Sequence, residues 1–376
     1  MFLDDAHLRE DPVWVDALLN WYDVNKRDFP WRREKTVYGT WICEVMSQQT
    51  TMAVVVPRFV EFIKALPSVS QLATCSDETL RELWSGLGYY ARARNLRKGA
   101  TYIVTERDGV FPGSYEEWLK VPGVGPYTAS VISSICFSTP KGCVDGNVIR
   151  VVARLTGCSS PEIWSEVGKS RIQSLVDSCI NSERPGDFNQ GMMELGATVC
   201  QKQSPDCRGC PLSRFCLAYR EQSVQDCPVP KPRKSFEAVE LDALNVCCFS
   251  NEQHSDDSIL LISRAGGFLS HTVGFPLFAG SDRQLLLDWL ARSADVKCSR
   301  VLDKSVSHTI TNHQIKVGII DVSLKNKLDA AGHFIRGLTE QFPNLISSSR
   351  WVSKSITERS VATSLDRKIW ENISRS

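Results

Sequence analysis

Four cysteines, Cys200, Cys207, Cys210 and Cys216, fall in one short stretch at the spacing C-x6-C-x2-C-x5-C. Thiolate sulfur favours iron–sulfur clusters or zinc, and four thiolates can close either site. A fold that accommodates this stretch must therefore converge four thiols on one point. Zinc sites usually join two short C-x2-4-C knuckles across a longer gap. Here only Cys207 and Cys210 are that close, and the loops around them suit a larger object. Zinc, and four cysteines buried by chance, stand as the competing readings. The remaining cysteines are scattered as small core residues are, among them Cys43, Cys75, Cys136, Cys143, Cys158, Cys179 and Cys298. Cys227, Cys247 and Cys248 lack a fourth ligand at credible spacing and are read as structural.

A chain of 376 residues that is 42% hydrophobic can bury a sizeable core, and its length suggests more than one domain. No stretch approaches the roughly 20 unbroken apolar residues of a membrane span. Met1 to Glu10 is acidic and lacks the basic start and apolar run of a signal peptide. The expected setting is intracellular: nuclear, or also mitochondrial, in a eukaryote, and cytoplasmic in a bacterium. Disulfides are not expected there. A net charge of +1 is silent about nucleic acid, but Arg92, Arg94, Arg97 and Lys98 form a local basic cluster.

Residues 1–220 read as helices joined by short turns. Val13 to Tyr22, Trp41 to Leu66, Thr79 to Leu87, Ala91 to Thr105 and Ser114 to Lys120 repeat apolar residues at helical spacing. Pro57 lies inside the longest pattern and is expected to kink or divide it. A proline-rich basic connector follows over 221–235. The remainder, 236–376, mixes strand-like runs (Ala243 to Phe249, Ile259 to Ser263, Ile315 to Val322) with helical patterns at Asp282 to Ser293 and Leu328 to Phe342. The expected architecture is a mostly α domain followed by an α+β domain.

Between helical patterns lies Val121-Pro-Gly-Val-Gly-Pro-Tyr-Thr-Ala129. Gly123 and Gly125 permit a tight turn, so backbone N–H groups around Val124 can face a phosphate oxygen at the start of the next helix. Downstream is Val144-Asp-Gly-Asn-Val148, and upstream Trp41-Ile-Cys-Glu-Val-Met-Ser-Gln-Gln-Thr50. Two carboxylates in separate roles can supply a proton to a departing group and a counter-charge to the cation that develops where it leaves. Glu44, flanked by Ile42, Val45 and Met46, is placed for partial desolvation, which raises a carboxyl pKa and suits a general acid.

These motifs, in this order and with the cysteine stretch after them, resemble the endonuclease III and MutY branch of the helix-hairpin-helix glycosylase superfamily. The resemblance implies a 4Fe-4S cluster on the four cysteines, which positions a basic loop holding Lys202 and Arg208. It implies that Glu44 protonates adenine, that Asp145 stabilises the sugar cation or bonds to it transiently, and that Tyr127 and Asn147 hold that arrangement. Lyase-type relatives carry an amine nucleophile where this chain has Tyr127, which implies a monofunctional glycosylase. Gly86-Leu-Gly-Tyr-Tyr-Ala-Arg-Ala-Arg-Asn-Leu96 matches a family segment in which Tyr89 is a wedge between bases, with Leu87 beside it. Gln49 and Thr50 would meet the orphaned strand. Arg27, Trp31 and Gln190 would line the adenine pocket. Ser47 stands where the family usually has leucine.

The C-terminal domain resembles, more loosely, the Nudix-like 8-oxoguanine reader of the MutY branch. Ser307-His308 stands at the place of the family's Phe-Ser-His tip, with Val306 for phenylalanine. Gly267 to Pro276 departs further, with Val273 and Gly274 for tryptophan and glutamate. No Nudix hydrolase motif is present, so recognition is implied rather than pyrophosphate hydrolysis. The implied partner is double-stranded DNA holding adenine opposite 8-oxoguanine or guanine, met by a monomer without membrane contact, with downstream repair proteins unspecified. Two other readings stay open: a thymine or uracil mismatch glycosylase of the same superfamily, and a DNA-binding protein whose catalysis has decayed.

Overall fold

The computed structural model describes residues 3–232, 235–248, 258–270, 272–325 and 329–374. The chain divides into two compact units, 1–232 and 233–376. Phe249, His271 and Leu328 lie outside the described residues.

The first unit is helical. Its principal helices are α1 (Val13–Asn25), α2 (Val37–Ser47), α3 (Met52–Ala65), α4 (Ala91–Glu106), α5 (Pro126–Phe137), α6 (Gly146–Leu155) and α7 (Pro185–Thr198). Among the described residues they enclose two large hydrophobic cores, beside a small cluster of Val131, Ile135 and Cys143. One gathers around Trp41, Phe62, Trp84 and Trp118. The other gathers around Leu18, Val148, Phe188 and Leu195. The α2 helix buries its side chains in the first core and α6 in the second. Each is held at its start by a side-chain cap: Thr36 accepts from the Gly39 N–H, and Asp145 from the N–H groups of Asn147 and Val148. The two helices that carry Glu44 and Asp145 thus belong to different cores.

The apolar pattern from Trp41 to Leu66 is two helices, but the break falls at 48–51 and not at Pro57. Gln49 sits in the left-handed region at φ 58°, which no helix interior accommodates. Pro57 lies within α3, on its exposed side, where water can satisfy the carbonyl that loses its N–H partner. At the hairpin, Gly123 has φ 82°, and a Cβ there would lie 2.7 Å from that of Asn95. Pro126 then opens α5 at a position where a missing N–H costs nothing.

Residues 221–232 pack against the helices. Arg154 donates to the Cys227 carbonyl at 2.9 Å and Trp164 to that of Val229 at 2.8 Å.

The second unit is α+β. A seven-stranded mixed sheet has the order β3-β2-β1-β6-β5, with β4 on β1 and β7 on β2. The strands are β1 (Glu237–Cys248), β2 (Ser258–Arg264), β3 (Val273–Gly274), β4 (Leu277–Ala279), β5 (Val296–Ile310), β6 (His313–Leu324) and β7 (Ile346–Ser353). Side chains alternate between two cores. Leu241, Ala243, Val317 and Ile319 pack with Leu365 and Ile369 of α10 (Ser364–Ser374). Leu244, Val246, Ile320 and Val322 pack with Leu286 of α8 (Arg283–Arg292) and Phe334 of α9 (Asp329–Gln341). A buried ion pair, Arg264 with Asp366, ties β2 to α10; Arg264 also donates to the Phe275 carbonyl at 2.7 Å, and Asp366 accepts from the Phe275 N–H at 3.1 Å. Gly274 is required here, because a Cβ would come within 2.3 Å of the Asp366 carboxylate.

Candidate active site

A cleft of about 930 Å³ in the helical unit is lined by residues of α2, α5, α6 and α7, among them Glu44, Tyr127, Asp145, Asn147 and Gln190. Glu44 projects from the penultimate turn of α2. Burial pushes its carboxyl up to about 7, and the nearby Asp145 charge adds to the rise; the Tyr127 hydroxyl, which hydrogen-bonds it, and Arg32 act the other way. Tyr127 itself is held well above its ordinary pKa by burial and then by the Glu44 charge, so it stays a neutral donor. Its hydroxyl also lies 3.1 Å from Met193 Sδ.

Asp145 is fixed by three donors. Oδ1 accepts from the N–H groups of Asn147 and Val148 at 2.9 and 2.8 Å, and Oδ2 from Asn147 Nδ2 at 2.9 Å. Asn147 is in turn held by Arg150 Nη2 at 2.9 Å, and Arg150 Nε donates to the Cys200 carbonyl at 2.7 Å. One turn further along α6, Arg154 reaches Cys200 Sγ at 3.2 Å and the Gln201 carbonyl at 2.7 Å. A single helix therefore carries the Asp145 cap at one end and anchors the cysteine stretch on its flank. Neither Arg150 nor Arg154 belongs to a motif, and the one signal of their role in the sequence is their i, i+4 spacing on a largely apolar helix.

The pocket wall is more charged than expected. Arg27 and Arg32 converge on Glu194, at 2.5 and 2.9 Å, and Arg32 also meets Gln190 Oε1 at 3.2 Å. Glu194 is only 2% exposed. Burial works to raise its carboxyl, and the two arginines overcome that and hold it below its ordinary value. Trp31 stacks on Phe29 at 4.9 Å and meets Phe59 edge-on. Arg32, Glu194, Met193 and Phe29 join the expected Arg27, Trp31 and Gln190, each lying within four positions of one of them. Ser47 lines the cleft one turn beyond Glu44, its hydroxyl spent on the Cys43 carbonyl at 2.6 Å.

Two expectations change. Leu87 is 4% exposed and packs in the first core, so it supports the turn rather than standing beside Tyr89 as a wedge. Val124 is also buried, and its N–H donates to the Val121 carbonyl at 3.0 Å, so that amide is not offered to a phosphate; Gly123 and Gly125 remain exposed. Gln49 and Tyr89 are exposed, and Thr50 is half-buried.

In the second unit, Ser307 and His308 lie within the edge strand β5, three residues short of a two-residue turn at 311–312, and not at a tip. Val306 is buried. His308 Nε2 pairs with Ser364 Oγ at 3.0 Å, and burial, then the Lys368 charge, holds the ring below its ordinary pKa.

Cys200, Cys207, Cys210 and Cys216 line one small cavity with Arg154, Asp206 and Tyr219. Burial pushes the Cys210 thiol up to about 12 and the Cys216 thiol up to about 11.

The helical unit thus brings a capped aspartate and a half-buried glutamate to one cleft. Residues 42–172 match the family described as HhH-GPD superfamily base excision DNA repair protein. The chain is 41% identical over 227 residues to the adenine DNA glycosylase of Mus musculus, covering 57% of this chain and 44% of that protein. It is 35% identical over 225 residues to the adenine DNA glycosylase of Buchnera aphidicola, covering 60% and 64%. The chain thus spans less than half the length of the mouse protein. Among solved structures, a thermostable thymine-DNA glycosylase is similar at a TM-score of 0.52 and 25% identity, covering 57% of this chain and 97% of that one.

Proposed function

We propose that this chain is a monofunctional adenine DNA glycosylase acting on double-stranded DNA that holds adenine opposite 8-oxoguanine or guanine. The observation that carries the reading is Glu44 and Asp145 in one cleft, with the Glu44 carboxyl raised to about 7 by burial and the Asp145 charge. At neutral pH a large share of Glu44 holds a proton to give to the departing adenine, and Asp145 faces the sugar as positive charge develops there. Asn147 and the α6 cap fix the orientation of Asp145, Tyr127 orients Glu44, and water completes the hydrolysis. With tyrosine at 127 no amine opens the sugar, so the strand stays whole. The target base must leave the duplex to reach the cleft, and the exposed Tyr89 and Gln49 are the side chains that offset its unstacking.

The four cysteines suit a 4Fe-4S cluster, which when bound cross-links the stretch and holds its basic residues in place. The four thiols line one cavity, and the loops of six and five residues that flank the Cys207–Cys210 pair suit the larger group over a single zinc. Ser307 and His308 are proposed to read the lesion.

The likeness to a thymine-DNA glycosylase favours a second reading, a mismatch thymine glycosylase. Single-turnover base release decides between them. Adenine should leave chiefly opposite 8-oxoguanine, with strand breakage only after alkali; release of thymine opposite guanine instead would establish the second reading. Replacing Ser307 and His308 together by alanine should bring the rates opposite 8-oxoguanine and guanine closer. An unchanged ratio removes that role.

A further inference from the structure

Arg92 belongs to the basic cluster of α4 by sequence, yet it does not face solvent as a DNA-binding cation would. Its guanidinium is folded inward, and its fork serves two different turns. Nη1 donates to the carbonyls of Val45, Met46 and Gln48 at 2.6, 3.0 and 2.5 Å, the unsatisfied end of the helix that carries Glu44. Nη2 donates to the Leu87 carbonyl at 2.9 Å and to Thr50 Oγ1 at 3.2 Å. The same group lies over the rings of Trp84 and Tyr89, 5.6 Å from each centroid. Among the described residues no carboxylate pairs with it.

The two turns it joins share a second property. Each holds a non-glycine residue in the left-handed region, Gln49 at φ 58° and Tyr89 at φ 45°. These are also their exposed members, with Tyr89 47% accessible. Side chains rarely adopt that backbone unless their surroundings over-determine it. Arg92 contacts both turns, and a planar fork with five donors can serve them at once where the single ammonium of lysine cannot.

We propose that Arg92 is a positioning residue that binds the Gln48–Thr50 and Leu87–Tyr89 turns into one preformed wedge, so that Gln49 and Tyr89 enter the duplex together. The proposal rests on the glycosylase reading above. It assigns to Arg92 no contact with the reacting atoms; it acts through the two turns.

The test uses the full chain and a duplex carrying 2-aminopurine beside 8-oxoguanine opposite adenine. Wild type should raise the probe's fluorescence on binding, as the neighbouring bases unstack. Arg92→Lys, which keeps the charge, and Arg92→Met should bind this duplex without that rise. Unstacking costs a few kcal/mol, so their single-turnover release from the duplex should fall by about 100-fold. Release from adenine in an unpaired loop, where no wedge is needed, should fall far less. A rise preserved in both variants, or an equal loss on both substrates, would reduce Arg92 to a helix cap and overturn the proposal. No rise with wild type, on a protein that still releases adenine, would overturn the wedge itself. No release from any duplex would instead sink the glycosylase reading.

Discussion

Glu44→Gln is expected to lower single-turnover adenine release by about 10²- to 10⁴-fold, the range that a positioned general acid contributes. The same substitution should make the protein more stable at alkaline pH. Folding raises the Glu44 carboxyl from 4.5 to about 7, so between those values the folded state holds a proton that the unfolded chain has released. Stability from this group is fully present below 4.5 and is lost as pH rises through about 7. At one unit per 1.36 kcal/mol, the ionised side chain costs at most about 3 kcal/mol above that point. Glutamine cannot ionise and is spared that cost. Urea unfolding at pH 8 should favour the variant, and the two curves should approach each other in acid. Base release by wild type should fall as pH rises through about 7. Asp145→Asn should move that midpoint down, since the Asp145 charge is part of what raises Glu44. Retained turnover in Glu44→Gln would remove the general-acid role, and a pH-independent stability difference would remove the physical cause assigned to it.

The residues of the candidate site were more legible in the sequence than the structure that presents them. Glu44, Tyr127, Asp145 and Gln190 could be named from local motifs because each motif is a few residues long and fixes its own turn or helix. The four cysteines were legible for the same reason. What could not be read depends on partners far along the chain. The break at Gln49 lies in the polar stretch Ser47 to Thr51, which holds neither glycine nor proline, and Arg92, more than forty positions downstream, bonds the carbonyls beside it. Leu87 looks like a companion of Tyr89 until its burial in the Trp84 core is seen. Glu194 is an ordinary helix carboxylate until two arginines near the N-terminus converge on it. β5 escaped because an edge strand has little apolar alternation to reveal it: Lys297 through Ser305 are exposed or half-buried. Ser307 and His308 therefore looked like a tip.

Cys210→Ser is expected to loosen the stretch from Cys200 to Cys216 and to lower both stability and base release. The stretch is held to the rest of the unit from two directions. Arg150 and Arg154 bond its first residues from α6, and the Asp206 N–H donates to the Val199 carbonyl at the end of α7 at 3.0 Å. A group bound by all four sulfurs adds a cross-link to those bonds. Closing a loop of about 15 residues is worth about 3 kcal/mol. For a unit of this size, each 1 kcal/mol shifts Tm by about 2 to 4 °C, so Tm should fall by about 6 to 12 °C. The damage should reach the cleft, because Arg150 holds Asn147 from the Cys200 side and Asn147 holds Asp145. The purified wild-type chain should contain iron and acid-labile sulfide in equal amounts, with a broad visible absorption that Cys210→Ser weakens. One zinc per chain, with no iron and no colour, would replace the cluster with a single ion. A colourless, metal-free protein as active and as stable as its Cys210→Ser variant would leave the four cysteines a purely apolar role.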